Sequence, residues 1–203
     1  MNEKVAPRPS NWNLPNALTL LRIVMVPFFI WAFVADKAEY GPLRWVAVVL
    51  FVVAIYTDKL DGDIARARGL VTSFGKIADP IADKLLIGSA LIMLSAVGEL
   101  WWWVTIVMLV REVGITLLRF VVIRYGVMAA SKGGKLKTVM QTVAIFVFLL
   151  PVTPAIPALS VVALIIMLAA LAVTVVTGAD YLIKAWQLVR SGRGTAASTV
   201  GKE

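Results

Sequence analysis

The chain has 203 residues, 60% of them hydrophobic, with 20 basic against 12 acidic side chains and a net charge of +8; a mean hydropathy of +0.88 excludes an ordinary soluble domain. Cysteine and histidine are both absent, which rules out disulfides, thiolate or imidazole metal ligands, an imidazole base and a phosphohistidine intermediate. Any metal must be held by oxygen, favouring hard ions such as Mg2+ or Mn2+, and any general base must be a carboxylate, lysine or tyrosine.

The apolar residues fall in blocks of roughly 17–25, the length that crosses a bilayer core. The pattern predicts an all-α integral membrane protein, a six-transmembrane-helix bundle with spans at about 17–36, 43–66, 77–98, 101–124, 138–154 and 157–186. Three connections, near Asp36–Pro42, Gly98–Trp101 and Pro151–Pro157, then share one side. Lys37 and Arg44 are the basic residues there; the others of the 20 lie towards the opposite side or within the spans. The positive-inside rule therefore places both termini and the segment Asp58–Asp83 in the cytoplasm. A membrane domain is expected over residues 1–190, with a Gly/Ser/Thr-rich disordered cytoplasmic tail over 191–203.

In chain order, Asn13-Leu14-Pro15-Asn16 starts span 1 with a cap and an early proline. Asn16, Thr19 and Arg22 follow at three-residue spacing, either as a cap with a snorkelling arginine or as the lining of a polar pocket. Span 2 carries Asp58 and Asp61 to about 22 and 27 Å from its outer end, at ~1.5 Å per residue. Span 3 returns with Asp79 and Asp83 within roughly 5–10 Å of the same boundary. Each pair shares a helix face. A short basic loop containing Arg66, Arg68, Gly69, Gly75 and Lys76 is expected between them. Asp63 reads as a solvated loop charge. Four carboxylates beside a cluster of positive charge suit divalent metal plus phosphate, and their burial in a membrane calls for water or cations.

Trp101-Trp102-Trp103 reads as an outer aromatic belt. Span 4 holds Arg111-Glu112 near mid-depth, as a functional group or an internal pair, then Arg119 and Arg124. The segment Ser131–Thr138, with Lys132, Lys135 and Lys137, is either a solvated positive loop or a phosphate cradle. Prolines 151, 154 and 157 mark an outer turn, and span 6 continues past membrane length through Lys184. Gly88, Ser89, Ala90, Ser95 and Ala96 on span 3 would permit close helix packing, including a dimer contact.

Written as a pattern, the central stretch is D-x2-D-G-x2-A-R-x8-G-x3-D-x3-D, occupied by Asp58, Asp61, Gly62, Ala65, Arg66, Gly75, Asp79 and Asp83. It resembles, at every position, the signature of the CDP-alcohol phosphatidyltransferase family. The resemblance implies a six-span bundle, commonly dimeric, with its site at the cytoplasmic end. It implies that Asp58, Asp61 and Asp79 ligate Mg2+ or Mn2+, two ions per site, with Asp83 near the metal and acting as base. It also implies that Asp61, Gly62, Ala65, Arg66 and Gly75 face CDP-diacylglycerol, with a plain helix-start role open for Gly75. The stretch Leu14–Arg22, the pair Arg111-Glu112, Gly134–Thr138 and Gly178–Tyr181 are most similar to family members whose acceptor is glycerol 3-phosphate.

The implied reaction consumes CDP-diacylglycerol and releases CMP. Inositol phosphate, serine and phosphatidylglycerol are the competing acceptors; a phosphorylated one needs its own cations near the metals, and Arg111, Arg119, Lys135 and Lys137 are the candidates. A phospholipase-D-type mechanism is excluded, since it needs histidine. A small cation transporter would want acidic residues spread through the membrane depth rather than gathered at one face. No nucleic-acid partner is expected.

Overall fold

The computed structural model describes residue 10 and residues 13–122 and 132–200, with side chains described except at 119–122, 132–135, 188–189 and 191–200. The described residues form six helices and no strand: α1 (Leu14–Ala35), α2 (Pro42–Ala67), α3 (Ser73–Ala96), α4 (Trp102–Val122), α5 (Lys132–Leu149) and α6 (Pro157–Val200). Each expected span falls on one of them. The backbone of α6 is helical through Val200, so helix continues into the segment read as a tail.

Local chemistry sets the helix ends at the aspartate-rich end of the bundle. Asn13 caps α1 by accepting from the Asn16 N–H at 3.0 Å, with a proline in the first turn. Thr72 caps α3 by accepting from Gly75 N–H at 3.0 Å. α2 closes with Gly69 at φ +63° and Leu70 N–H donating to the Ala65 carbonyl at 2.9 Å, a Schellman stop. The connection between α2 and α3 is therefore only residues 68–72. This corrects the expected loop: Arg66 lies in the last turn of α2, and Gly75 and Lys76 in the first turn of α3.

α1 packs against α2 and α3, α4 against α3 and α6, and α5 against α6, α2 and α3. Phe29, Phe33, Phe51, Leu91, Ile145 and Met167 fill the shared core, interleaved with fully buried alanines such as Ala47, Ala90 and Ala163 that let the helices approach closely. The outward faces are apolar as well: Phe28, Trp31, Val110, Ile165 and Val176 are each more than half exposed. Such a surface is an aggregation hazard in water and the normal finish in lipid. By length and hydropathy, α1 and the Pro157–Gln187 part of α6 can each cross a membrane. Charged residues keep α2 and α3 from meeting the same measure, and the Leu136–Leu149 part of α5 is apolar but shorter.

Gly88 and Ser95 of α3 serve contacts within the chain. A Cβ on Gly88 would sit 3.4 Å from Leu109 of α4, and Ser95 shares a 2.7 Å hydrogen bond with Thr105. At the end of the bundle away from the aspartates, Arg44 is completely buried. It donates to both Glu99 carboxylate oxygens at 2.7 Å and to the Leu149 and Phe148 carbonyls at 3.0 and 3.2 Å, with its guanidinium 4.0 Å from the Phe33 ring centre. Asp36 accepts from the backbone N–H groups of Tyr40, Gly41 and Arg44 at 2.9–3.2 Å. Those bonds hold a turn in which Lys37, Ala38 and Tyr40 all have positive φ.

Candidate active site

α1 supplies the groups that knit the aspartates together. Arg22, with no exposed side-chain surface, sends one Nη to Asp58 and the other to Asp61. One turn earlier, the Thr19 hydroxyl lies 2.6 Å from Asp79 Oδ1 and 3.3 Å from Asp61 Oδ2, bridging α2 and α3. Asn16, a further turn back, exchanges hydrogen bonds with Thr72 at 2.9 and 3.0 Å. Arg22 is therefore not a snorkelling arginine: it and Thr19 are buried against the aspartates, and Asn16 is buried against Thr72. The three-residue spacing puts all three on the face of α1 that meets α2 and α3.

Gly75 is where this packing is tightest. A Cβ there would lie 2.9 Å from Asn16 Oδ1 and 3.3 Å from Thr72 Oγ1, so the position excludes a side chain through the approach of α3 to α1. Around Gly62 the nearest atoms are the Arg66 guanidinium nitrogens, at 3.2 Å from a Cβ built there. Arg66 itself pairs with Asp63 at 2.8 Å, both side chains more than half exposed. Asp63 is thus a helical ion-pair partner rather than a lone loop charge. An exposed pair of this kind is held by little energy and yields readily to a phosphate. Ala65, one position before Arg66, is partly buried on α2.

The sequence pattern anticipates four aspartates directly enclosing cations. Among the described residues, no group of three or more acidic side chains is disposed to hold one ion. Asp58, Asp61 and Asp79 instead meet through Arg22 and Thr19, because carboxylates this close repel one another and Asp61, only 3% exposed, needs a counter-charge. The donors themselves are oxygen only, and Asp58, 45% exposed, opens to the surroundings. That chemistry fits a hard divalent cation. Arg22 marks where such a charge would be compensated.

Asp83 feels the charges of Asp58, Lys84, Arg22 and Lys137. It borders a cavity of about 90 Å³ between α3, α4 and α5, shared with Glu112, Lys137 and Gln141. Glu112 is the counter-ion for two of the four expected acceptor cations: Lys137 pairs with its Oε1, and Arg111 Nη1 reaches the same oxygen at 3.3 Å. Arg111 Nη2 also donates to Thr177 of α6 at 2.7 Å. Arg111-Glu112 is therefore an internal pair whose members also reach beyond it, to α5 and α6. The side chains of Arg119 and Lys135 lie outside the described residues. Gln141, deep on α5, escaped the sequence reading, and its only signal was being polar in an apolar span four residues after Lys137.

On the outward face of α1, a groove of about 590 Å³ is lined by Asn13, Asn16, Leu20, Leu21, Val24 and Phe74. It places polar side chains at one end and apolar ones along its length.

The profile of the CDP-alcohol phosphatidyltransferase family matches residues 12–176. The chain belongs to that family. A probable phosphatidylglycerophosphate synthase of Mycobacterium tuberculosis is 49% identical over 194 residues, covering 96% of this chain and 91% of the relative. A CDP-diacylglycerol–glycerol-3-phosphate 3-phosphatidyltransferase of Bacillus subtilis is 38% identical, covering 89% and 98%. The crystal structure of M. tuberculosis phosphatidylinositol phosphate synthase in apo form superposes with a TM-score of 0.60 at 23% identity, over 86% of this chain and 90% of that one. This likeness establishes the shared fold. Family membership removes the cation-transporter reading.

Proposed function

We infer that this chain transfers the phosphatidyl group of CDP-diacylglycerol to glycerol 3-phosphate, giving phosphatidylglycerophosphate and CMP. The observation that carries the reading is the aspartate signature, knitted to α1 and bordering a cavity that holds Asp83 and the buried cation Lys137. It sits in a chain whose curated relatives are named for that reaction.

Asp58, Asp61, Asp79 and Asp83 would hold Mg2+ or Mn2+, two ions per site; when bound, these neutralise the pyrophosphate as negative charge moves onto the departing CMP. Asp83 takes the proton from the acceptor hydroxyl. The hydroxyl oxygen forms a bond to the β-phosphorus as the bond from that phosphorus to the CMP oxygen breaks, and CMP leaves with the electron pair. Asp61, Gly62, Ala65, Arg66 and Gly75 face the nucleotide side, with Arg66 leaving Asp63 for phosphate. Lys137 and Arg111, with Arg119 and Lys135, draw the acceptor phosphate to the opposite side of Asp83. The groove along α1 suits an acyl chain, its polar end nearest the site.

The bundle spans the cell membrane six times, with both termini and the aspartate end in the cytoplasm, and the chain works as a homodimer. The charge distribution of the connecting segments supports the orientation. An acceptor panel with the purified protein tests the assignment. CMP release should be fastest with glycerol 3-phosphate and need a divalent cation. Faster release with inositol phosphate, serine or phosphatidylglycerol would refute the acceptor.

A further inference from the structure

The cavity between α3, α4 and α5, about 90 Å³, is several times the ~10–15 Å³ that one water requires. Depth along the helices orders its polar groups. At ~1.5 Å per residue, Asp83 lies about 15 Å into α3 and Gln141 about 14 Å into α5, whereas Lys137 lies about 8 Å in. Both helices start at the aspartate end of the bundle. The base and Gln141 therefore reach similar depth, and the lysine stands a turn nearer the mouth.

Lys137 has Glu112 as its partner. Gln141 is 2% exposed, and its Nε2 has no hydrogen-bond partner among the described residues. A buried amide left in that state is a standing cost to the fold, and such groups in native proteins answer to a ligand or a water. The group that would relieve it must be small, polar and uncharged at that depth. A phosphate is drawn instead to the cations at the mouth. A hydroxyl both donates and accepts, so it satisfies the amide whichever way the amide is turned.

Resting on the glycerol 3-phosphate reading above, we propose that the Gln141 side-chain amide hydrogen-bonds the acceptor's second hydroxyl, adjacent to the one that attacks. Gln141 thereby selects a polyol phosphate over a phosphate carrying a single alcohol. With the phosphate on Lys137 and the middle hydroxyl on Gln141, the terminal hydroxyl is left facing Asp83.

The test compares glycerol 3-phosphate with 3-hydroxypropyl phosphate, which keeps the chain length and lacks only the middle hydroxyl. CMP release from CDP-diacylglycerol is followed in detergent with Mg2+, using the full chain. The unmodified protein should prefer glycerol 3-phosphate in kcat/KM by about 10–100-fold, the range for leaving a buried polar group unpaired. In Gln141→Leu the preference should collapse to about threefold or less, with the KM for CDP-diacylglycerol unchanged. Gln141→Asn, which withdraws the amide by one methylene, should give an intermediate ratio.

Equal use of the two acceptors by the unmodified protein overturns the proposal, whatever the variants do. So does a full preference surviving in either variant. If the unmodified protein releases no CMP with glycerol 3-phosphate but does so with another acceptor, the functional reading fails and the proposal falls with it.

Discussion

Replacing Arg22 by methionine removes the positive charge on which two aspartates converge while keeping most of the side-chain volume. Arg22 is fully buried, Asp61 is 3% exposed and Asp58 is 45% exposed. Removing one partner of a buried ion pair costs about 3–5 kcal/mol, because the other charge stays uncompensated. Nearly all of that cost falls on Asp61; the share from Asp58 is cut by solvent to about 0–1 kcal/mol. For a chain of this size the loss lowers the melting temperature by about 6–20 °C, at 2–4 °C per kcal/mol. A divalent cation at a hundred times its dissociation constant returns about 2.7 kcal/mol. The assay is thermal unfolding in detergent at one scan rate, in chelator and in saturating Mg2+. Arg44→Met is the control: it removes an equally buried arginine at the far end, where its partner is Glu99. Both variants should melt low in chelator, but Arg22→Met should regain more in Mg2+ than Arg44→Met, whose aspartates keep Arg22 as a competing cation. Equal responses of the two variants to Mg2+, or an unchanged melting point for Arg22→Met in chelator, would refute the argument that the Asp58–Asp61 pair needs a cation.

Asp83→Asn should lower kcat by about 10²–10⁴-fold, the usual worth of a general base, and leave the KM for CDP-diacylglycerol within a few-fold in steady-state CMP-release assays. Lys137→Met should raise the KM for glycerol 3-phosphate by about 10–150-fold, equivalent to one charge-assisted hydrogen bond, with little change for CDP-diacylglycerol. Equal effects on both substrates would remove Lys137 from the acceptor side. Gly75→Ala should cost about 1–3 kcal/mol by forcing Asn16 away; a melting point equal to that of the unmodified protein would show that α3 can shift freely from α1.

The placement of the helices was legible because long apolar blocks dominate the chain and a proline or cap residue marks several of their starts. The aspartates were legible for a simpler reason, since charge in the middle of apolar sequence has few structural uses. The part played by α1 was only half visible. Spacing put Asn16, Thr19 and Arg22 on one face, but no pattern says that Arg22 will fork between Asp58 and Asp61, which are distant in sequence and come from another helix. The α2–α3 connection was misjudged because the Schellman stop at Gly69 and the Thr72 cap together need only five residues. The small residues of α3 showed that something packs closely there without saying what; Leu109 and Thr105 of the same chain do. Arg44 looked like a topology marker. Its carbonyl and carboxylate partners lie 55 to 105 residues away, beyond any local signal.

That arginine stitches the turn after α1, the start of α2, the Glu99 segment after α3 and the last turn of α5 into one knot. At the other extremity α1–α3 are tied to one another through Arg22 and Thr19, and α4–α6 through Arg111 and Glu112, so the two trios can part only along the cavity between them, as tongs do about a rivet. Breathing of the bundle is thereby concentrated at the aspartate end, where the proposed reaction needs a bulky lipid nucleotide admitted and an equally bulky lipid product let go. Slow amide exchange near the rivet and faster exchange beside the Asp83 cavity would be its signature.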